Sequence, residues 1–267
     1  MQINSNFSAN TQNTNQLQQS LERIASGKRI NNASDDAAGN AIATRFNTAA
    51  QQDTVAIRNA SDGVSFSQTA DALLGQQTES IQRLRELALQ SSNPTLSDRD
   101  RSSLQAEFGQ LQQEIRDVNE RANYNGNSIL NEDNTLEFQI GSQSGDAISI
   151  ESVNLNQQLE DGGFFDLDLS SQQGAQEALG VLDSSLENIN QVRSDFGANA
   201  NRFESAISSL EQSRVNNEES RSRVEDADIA SEISDFIRAQ VQDQADIALQ
   251  RQANSSRGAV LQLLQGI

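Results

Sequence analysis

Pro94 is the one proline in a chain of 267 residues. Proline removes a helical hydrogen bond and clashes with the preceding turn, so the long stretches on either side of it are free to run as helix. Only 15 glycines interrupt them, and the abundant Ala, Gln, Glu, Arg and Leu favour helix intrinsically. Hydrophobic residues make up 35% of the chain, aromatics 4%, and Trp is absent, which is too little for one thick globular core. The predicted fold is mainly α, with long thin helices packed along one another.

Apolar spacing locates those helices. Between residues 53 and 91, Phe66, Ala70, Leu73, Leu74, Ile81, Leu84 and Ala88 recur at steps of three and four, the stripe of a helix with one buried face. Pro94 and its polar neighbours end it, and Ser97 with Asp100 three residues on forms a capping box for the next. That helix carries Leu104, Phe108, Leu111, Ile115, Val118 and Ala122, a coiled-coil-like seam stopped by the Asn-Gly turn of "NYNGNSIL". Residues 136–150 alternate instead: Leu136, Phe138 and Ile140, then "GSQSG", then Ile148 and Ile150 predict a β-hairpin. The segment 151–174 reads as loop without regular structure around a small apolar knot at Phe164, Phe165 and Leu167. Helix returns over about 175–222, where Leu182, Ile189, Phe196, Phe203 and Leu210 fall every seven residues. Three matching seams predict a small bundle with Phe66, Leu73, Leu84, Phe108, Ile115, Leu182, Ile189, Phe196 and Phe203 as its core and the hairpin at one end.

The two ends differ. Residues 1–45 carry a sparse stripe of Ile3, Phe7, Leu17, Leu21 and Ile24. Residues 226–267 carry Ile229, Ile233, Ile237 and Val241, followed by a distal group that includes Leu261 and Leu264. Each is amphipathic but too weakly apolar to be a stable helix alone. Apolar residues so close to chain ends read as surface built to be buried against something else.

Little in the sequence supports chemistry. A net charge of −19 repels nucleic acid, whose binding needs a basic footprint. With no Cys and no His, disulfides, thiolate sites and the commonest metal ligand and general base are missing. Adjacent carboxylates such as Asp35 and Asp36 are expected by chance among 38 acidic residues and read as a solvated face. "GSQSGD" has no following helix or lysine to cradle phosphate, and "NEDN" at 131–134 does not extend into a calcium loop. No enzyme, metal or cofactor is expected, and no segment is apolar enough to insert in a membrane. "MQINSNFSAN" has neither the basic nor the apolar region of a cleaved export signal.

Within "IQRLRELALQ", residues 81–90, a helical wheel puts Leu84 at the centre of the buried stripe with Ile81 and Ala88 beside it. Arg83 falls about 100° from that centre, with Leu87 between. A strict heptad would turn Leu87 inward with Phe66 and Leu73, so its face stays open at this stage. Arg83 can pair with Glu79 or Glu86 on a wet surface.

"LERIASGKRINNASDDAAGNAIATRF", residues 21–46, closely resembles the N-terminal signature of bacterial flagellins. The resemblance continues through "NASDGVSFSQTADALL", "IQRLRELALQSSN", "LQAEFGQLQQEIRDV", "NYNGNSIL" and the hairpin, and resumes in "VRSDFGANANRFESAISSL", "SRSRVEDADIASEI" and "QANSSRGAVLQLLQGI". It implies a short form without large outer domains, because only 151–174 could hold them. By resemblance, residues 1–43 and 226–267 pair as an inner coiled-coil domain lining the channel of a helical filament, and 44–225 form the next domain out. The termini would then fold on assembly, with Ile3, Phe7, Leu17, Leu21, Ile24, Ile229, Ile233, Ile237, Val241, Leu261 and Leu264 as inner-domain assembly residues. The resemblance also implies an extracellular subunit of the propeller for swimming, exported without a cleaved signal by the flagellar type III apparatus with a dedicated chaperone. Its partners would be further copies of itself, filament cap and hook-junction proteins, and the vertebrate innate immune receptor for flagellin. Positions matching that receptor's contacts are Gln82, Arg83, Leu87 and Glu107, a patch otherwise buried between subunits. The hook-filament junction protein shares both terminal signatures and is the alternative; "IQRLRELALQ", "LQAEF" and the hairpin favour flagellin. A protease carried on the same scaffold would need a histidine motif that this chain lacks.

Overall fold

A computed structural model describes residues 2–143 and 145–265, with side chains for 14–143, 145–256 and 258. Contacts divide the chain into a unit of 1–50 with 215–267 and a unit of 51–214. The elements are helices α1 (Gln2–Ser26), α2 (Ala37–Ser91) and α3 (Asp98–Arg121), strands β1 (Asn123–Tyr124), β2 (Asn127–Ser128), β3 (Asn134–Gln139) and β4 (Ala147–Ser152), and helices α4 (Leu155–Asp161), α5 (Gln172–Glu225) and α6 (Ile229–Gln265). A 3-10 turn, Phe164–Asp166, lies between α4 and α5.

In the 51–214 unit, the buried seam of α2 runs Phe66, Ala70, Leu74, Gln77, Ile81, Leu84, Ala88, a near-perfect alternation of three- and four-residue steps. It passes through Leu74, not Leu73. Leu73, expected in the core, is only partly buried against it, because the polar Gln77 holds the next seam position and fixes the phase. Helix α2 also begins at Ala37, well before residue 53; Asp36 caps its first turn by accepting from the Gly39 amide at 2.8 Å. The early part buries Ala43, Ala50, Ala56 and Ala60, too small to register as an apolar stripe.

Helix α3 opens with the expected capping box: the Asp100 amide donates to Ser97 Oγ, and the Ser97 amide donates to the Asp100 carboxylate at 3.1 Å. It buries Phe108 and Ile115. At the Asn-Gly turn, Asn125 and Gly126 have φ of 49° and 86°, the two positive values of a type I′ turn joining β1 to β2. The β3–β4 hairpin pairs Leu136 with Ile150 and Phe138 with Ile148 on its inner face. Phe138 meets Phe203 edge-on at 5.4 Å, while Phe66 packs edge-on against Tyr124 at 5.9 Å and tilted against Phe196 at 6.2 Å. These rings close one end of the bundle. The buried positions of α5 within this unit, from Leu182 through Ile189 and Phe196 to Phe203, keep the expected heptad.

The segment 151–174 is not the irregular loop expected. Asn154 caps α4 by accepting from the Gln157 amide, and Leu155, Leu159, Phe164 and Leu169 are all buried. Elements of seven and three residues are too short to show a period.

In the other unit, α1 and α6 pack antiparallel, tied near their junctions by Arg23 and Glu232 at 3.2 Å. Gly27, with φ of 72°, ends α1 as a left-handed cap and donates to the Arg23 carbonyl. Beyond it the two connecting segments pair. The Arg29 amide donates to the Glu225 carbonyl at 2.7 Å, the Ala227 amide to the Gly27 carbonyl at 3.0 Å, and Lys28 Nζ to Glu225 at 2.6 Å.

Candidate assembly surfaces

Four positions of "IQRLRELALQ" divide the surface of α2 from its interior. Counting from Arg83 at about 100° per residue, Leu87, Leu84, Ala88 and Ile81 span roughly 40° to 160°, and Arg85 stands near 200°. All four apolar residues are buried, and both arginines are exposed. The arginines bracket the core. Arg83 reaches α3, where its Nε and Nη2 donate to Glu107 Oε1 at 3.2 and 2.8 Å, and its Nη1 donates to Glu86 at 2.9 Å. Arg85 reaches α5 and donates to Asp183 at 2.7 Å. Because α2 packs against two partners, its buried sector is wider than one coiled-coil seam.

This settles Leu87. At 1% exposure it belongs to the subunit core, so its side chain is not part of an exposed patch with Gln82, Arg83 and Glu107 as the sequence match implied. Gln82, Arg83 and Glu107 are exposed and adjacent across α2 and α3. Of the two same-helix partners open to Arg83, the structure selects Glu86, and Glu107 joins it. The hydrogen bonds it donates to Glu107 and then to Glu86 raise the Arg83 pKa above its ordinary value, and the two carboxylates hold the guanidinium in place. Such exposed pairs contribute little to stability; what they supply is a defined direction for the guanidinium.

Among its described residues, the α1–α6 pair leaves much of its apolar surface uncovered. Among the described residues of α6 the least exposed are Glu232, Phe236, Ala239, Asp243, Asp246 and Gln250, stepping by four, three, four, three and four. That row faces α1, whose Gln16, Ser20 and Arg23 share a recess with Glu232, Ala239 and Gln242. The described seam is therefore mixed, with Phe236 standing among small and polar side chains. Ile229, Ile233, Ile237 and Val241, with Leu21 on α1, point outward and are 38 to 59% exposed. Leu17 and Ile24 are half-buried. The side chains of Ile3, Phe7, Leu261 and Leu264 lie outside the described residues. A helix that turns Ile229, Ile233, Ile237 and Val241 away from its partner leaves uncovered the kind of side chain that a self-sufficient coiled coil buries.

No group of three His, Cys, Asp or Glu side chains able to hold a metal occurs among the described residues. No described helix is long and apolar enough to cross a membrane.

Comparison with known proteins matches both ends of the chain. A family model described as the bacterial flagellin N-terminal helical region matches residues 1–135, and one described as the bacterial flagellin C-terminal helical region matches 179–264. A flagellin of Halalkalibacterium halodurans is 36% identical over 254 residues, covering 95% of this chain and 93% of that one. A flagellin of Listeria innocua is 33% identical over 285 residues, 99% of each, and a flagellar filament 30.7 kDa core protein of Treponema maltophilum is 33% identical over 272 residues, 94% of this chain and 93% of that one. The crystal structure of Bacillus cereus flagellin matches with a TM-score of 0.52 at 30% identity, over 57% of this chain and 88% of that chain. A putative flagellar hook-associated protein from Vibrio parahaemolyticus matches with a TM-score of 0.60 over 72% of this chain and all of that one, at 13% identity, a likeness of fold alone.

Proposed function

The chain belongs to the bacterial flagellin family and is a structural subunit of the flagellar filament, and from that premise we propose how it assembles. The hook-filament junction alternative is not favoured, since the full-length relatives are flagellins and filament core proteins. Self-polymerisation and the extracellular filament follow from the family.

The observation that carries the assembly reading is the outward apolar row of α6. The α1–α6 pair is the inner domain, and copies of it pack around the filament channel by burying Ile229, Ile233, Ile237 and Val241 against neighbours. Fully burying one such side chain contributes ~1.5–3 kcal/mol. With about half of each already covered, four of them supply on the order of 4 kcal/mol per subunit before ordering costs. Residues 44–225 then form the surrounding wall. An open helical polymer uses heterologous contacts that never close, so Gln82, Arg83 and Glu107 meet a different surface of the next copy.

The same exposed row needs cover before assembly, which supports a dedicated export chaperone holding α6 and passage through the type III apparatus without a cleaved signal. Filament cap and hook-junction proteins then present the end to which subunits add. In a vertebrate host, Gln82, Arg83 and Glu107 are the contact for the innate flagellin receptor, reachable only on monomers.

Seeded growth from depolymerised subunits tests this directly. Ile233→Glu with Ile237→Glu should stop elongation while leaving the thermal transition of the 51–214 unit in place; elongation at the unsubstituted rate would overturn the assembly role of α6. Arg83→Ala should weaken both receptor activation and filament growth, and full retention of both would remove the patch from the account.

A further inference from the structure

In the 51–214 unit two large apolar side chains stand exposed among the described residues, Val55 and Leu89, and Leu89 is the more exposed at 58%. The same unit carries an open groove of about 640 Å³ between α2 and α3, with Leu73, Val118 and Ala122 among its lining and Glu114, Asp117 and Arg121 along it. Leu73 is there because Gln77 set the seam through Leu74, which left Leu73 at the edge of the core.

Groove and apolar side chains are related by the geometry of α2. Residue 55 is eighteen before 73, five whole turns at about 100° per residue, so Val55 lies on the groove's own face. Residue 89 is sixteen after 73, which places Leu89 about 160° around the helix and ~24 Å along it. A knob and a hole on nearly opposite faces of one helix cannot meet within one molecule. They can meet between two copies, and an open polymer requires each face of a subunit to fit a different face of its neighbour. Along the groove Arg121 is folded onto Asp117 at 3.1 Å, and Glu114 leaves the set net acidic.

We infer that Leu89 of one subunit seats in the Leu73–Val118 groove of a second copy displaced by about 24 Å along α2. This rests on the chain being a filament subunit, and it names a lateral contact of the outer unit distinct from the inner α1–α6 pair and from the Arg83 patch.

The chain has no cysteine, so a Leu89→Cys, Val118→Cys variant reports the contact without background. Filaments regrown from it and oxidised mildly should run as a ladder of disulfide-linked multimers on a non-reducing gel. Soluble monomers treated alike, and filaments of either single substitution, should not form the ladder. Filaments of the double variant that grow but show no ladder overturn the contact and leave the filament function standing. Failure of the unsubstituted chain to polymerise from seeds overturns the filament reading, and this contact with it. A cysteine-free pair decides the matter independently, including where the double variant does not grow. Leu89→Glu should slow seeded elongation at least tenfold, and Leu89→Lys, facing an acidic groove, markedly less, with the monomer's melting temperature unchanged in both. Equal elongation by Glu, Lys and Leu at residue 89 overturns the proposal.

Discussion

Arg101 is the most consequential single side chain in the turn between α2 and α3. It lies one turn into α3 and is 6% exposed. Its guanidinium is met by backbone carbonyls: Nη1 donates to those of Ser91 and Asn93, the latter at 3.2 Å, and Nη2 to that of Leu96 at 3.1 Å. Ser91 is the last residue of α2, so the cation satisfies carbonyls at a helix C-terminus, where the helix dipole also favours it. Arg101→Met keeps the apolar stem and removes the charge. Each hydrogen bond from a charged donor is worth a net ~1.5–3 kcal/mol, and the three are not additive. Recovering the cost of burying the cation offsets part of the loss, while the carbonyls left in the turn add to it. The expected destabilisation is about 3 kcal/mol, which for a unit of this size lowers Tm by roughly 6–12 °C. The assay is thermal unfolding of depolymerised full-length subunits followed by circular dichroism, with Arg101→Lys as a second variant. Lysine keeps the charge but cannot fork to three carbonyls, so it should fall between. A Tm for Arg101→Met within about 2 °C of the unsubstituted chain would refute the reasoning.

Other perturbations probe separate features. Gly63 lies in α2 against the Phe203 ring, where an added Cβ would stand 2.5 Å from the ring's Cζ; Gly63→Ala should cost about 1–3 kcal/mol in chemical denaturation, and Phe203→Leu in the same chain should restore part of it. Asn119, fully buried, accepts from Gln77 and donates to Asn156 at 2.7 Å, which in turn donates to the Arg116 carbonyl. Asn119→Ala should cost about 2–3 kcal/mol. Gln77→Leu should cost less, because Gln77 Oε1 is already buried without a partner. The side-chain hydrogen bond from Ser97, then the one from its amide, lowers the Asp100 pKa below the ordinary aspartate value. A folded pKa below the unfolded one means this cap stabilises above the unfolded value and is lost as pH falls through the folded one. A carboxyl NMR titration should therefore place Asp100 low, and Ser97→Ala should move it back up; no movement would remove the serine as the cause.

Much of this was legible along the chain because helices and hairpins announce themselves by period. The single proline marked the α2–α3 turn, Ser97 and Asp100 marked the cap, and the every-seventh apolar positions of α5 placed Leu182, Ile189, Phe196 and Phe203 inside. What was not legible had no period to read. Helix α4 and the 3-10 turn are too short to repeat. The first half of α2 packs through alanines, whose burial carries little hydropathy signal. Leu73 and Leu74 both belong to the stripe read from apolar residues alone, which steps over Gln77, a polar side chain that holds a seam position by bonding to Asn119 and leaves Leu73 at the edge.

The surfaces divide the same way. The sequence by itself determined that the chain is a set of long amphipathic helices, that its ends carry more apolar surface than they can bury alone, and, through its motifs, the flagellin family. Which side of each helix meets what was decided only by tertiary packing. Two partners on α2 widened its buried sector enough to take Leu87 inside and leave Arg83 at the rim. On α6 the row of Glu232, Phe236, Ala239 and Asp243 turned toward α1, and the branched row from Ile229 to Val241 was left facing out. Periodicity fixes which residues share a face, but only the number and position of neighbouring elements fix which faces are covered.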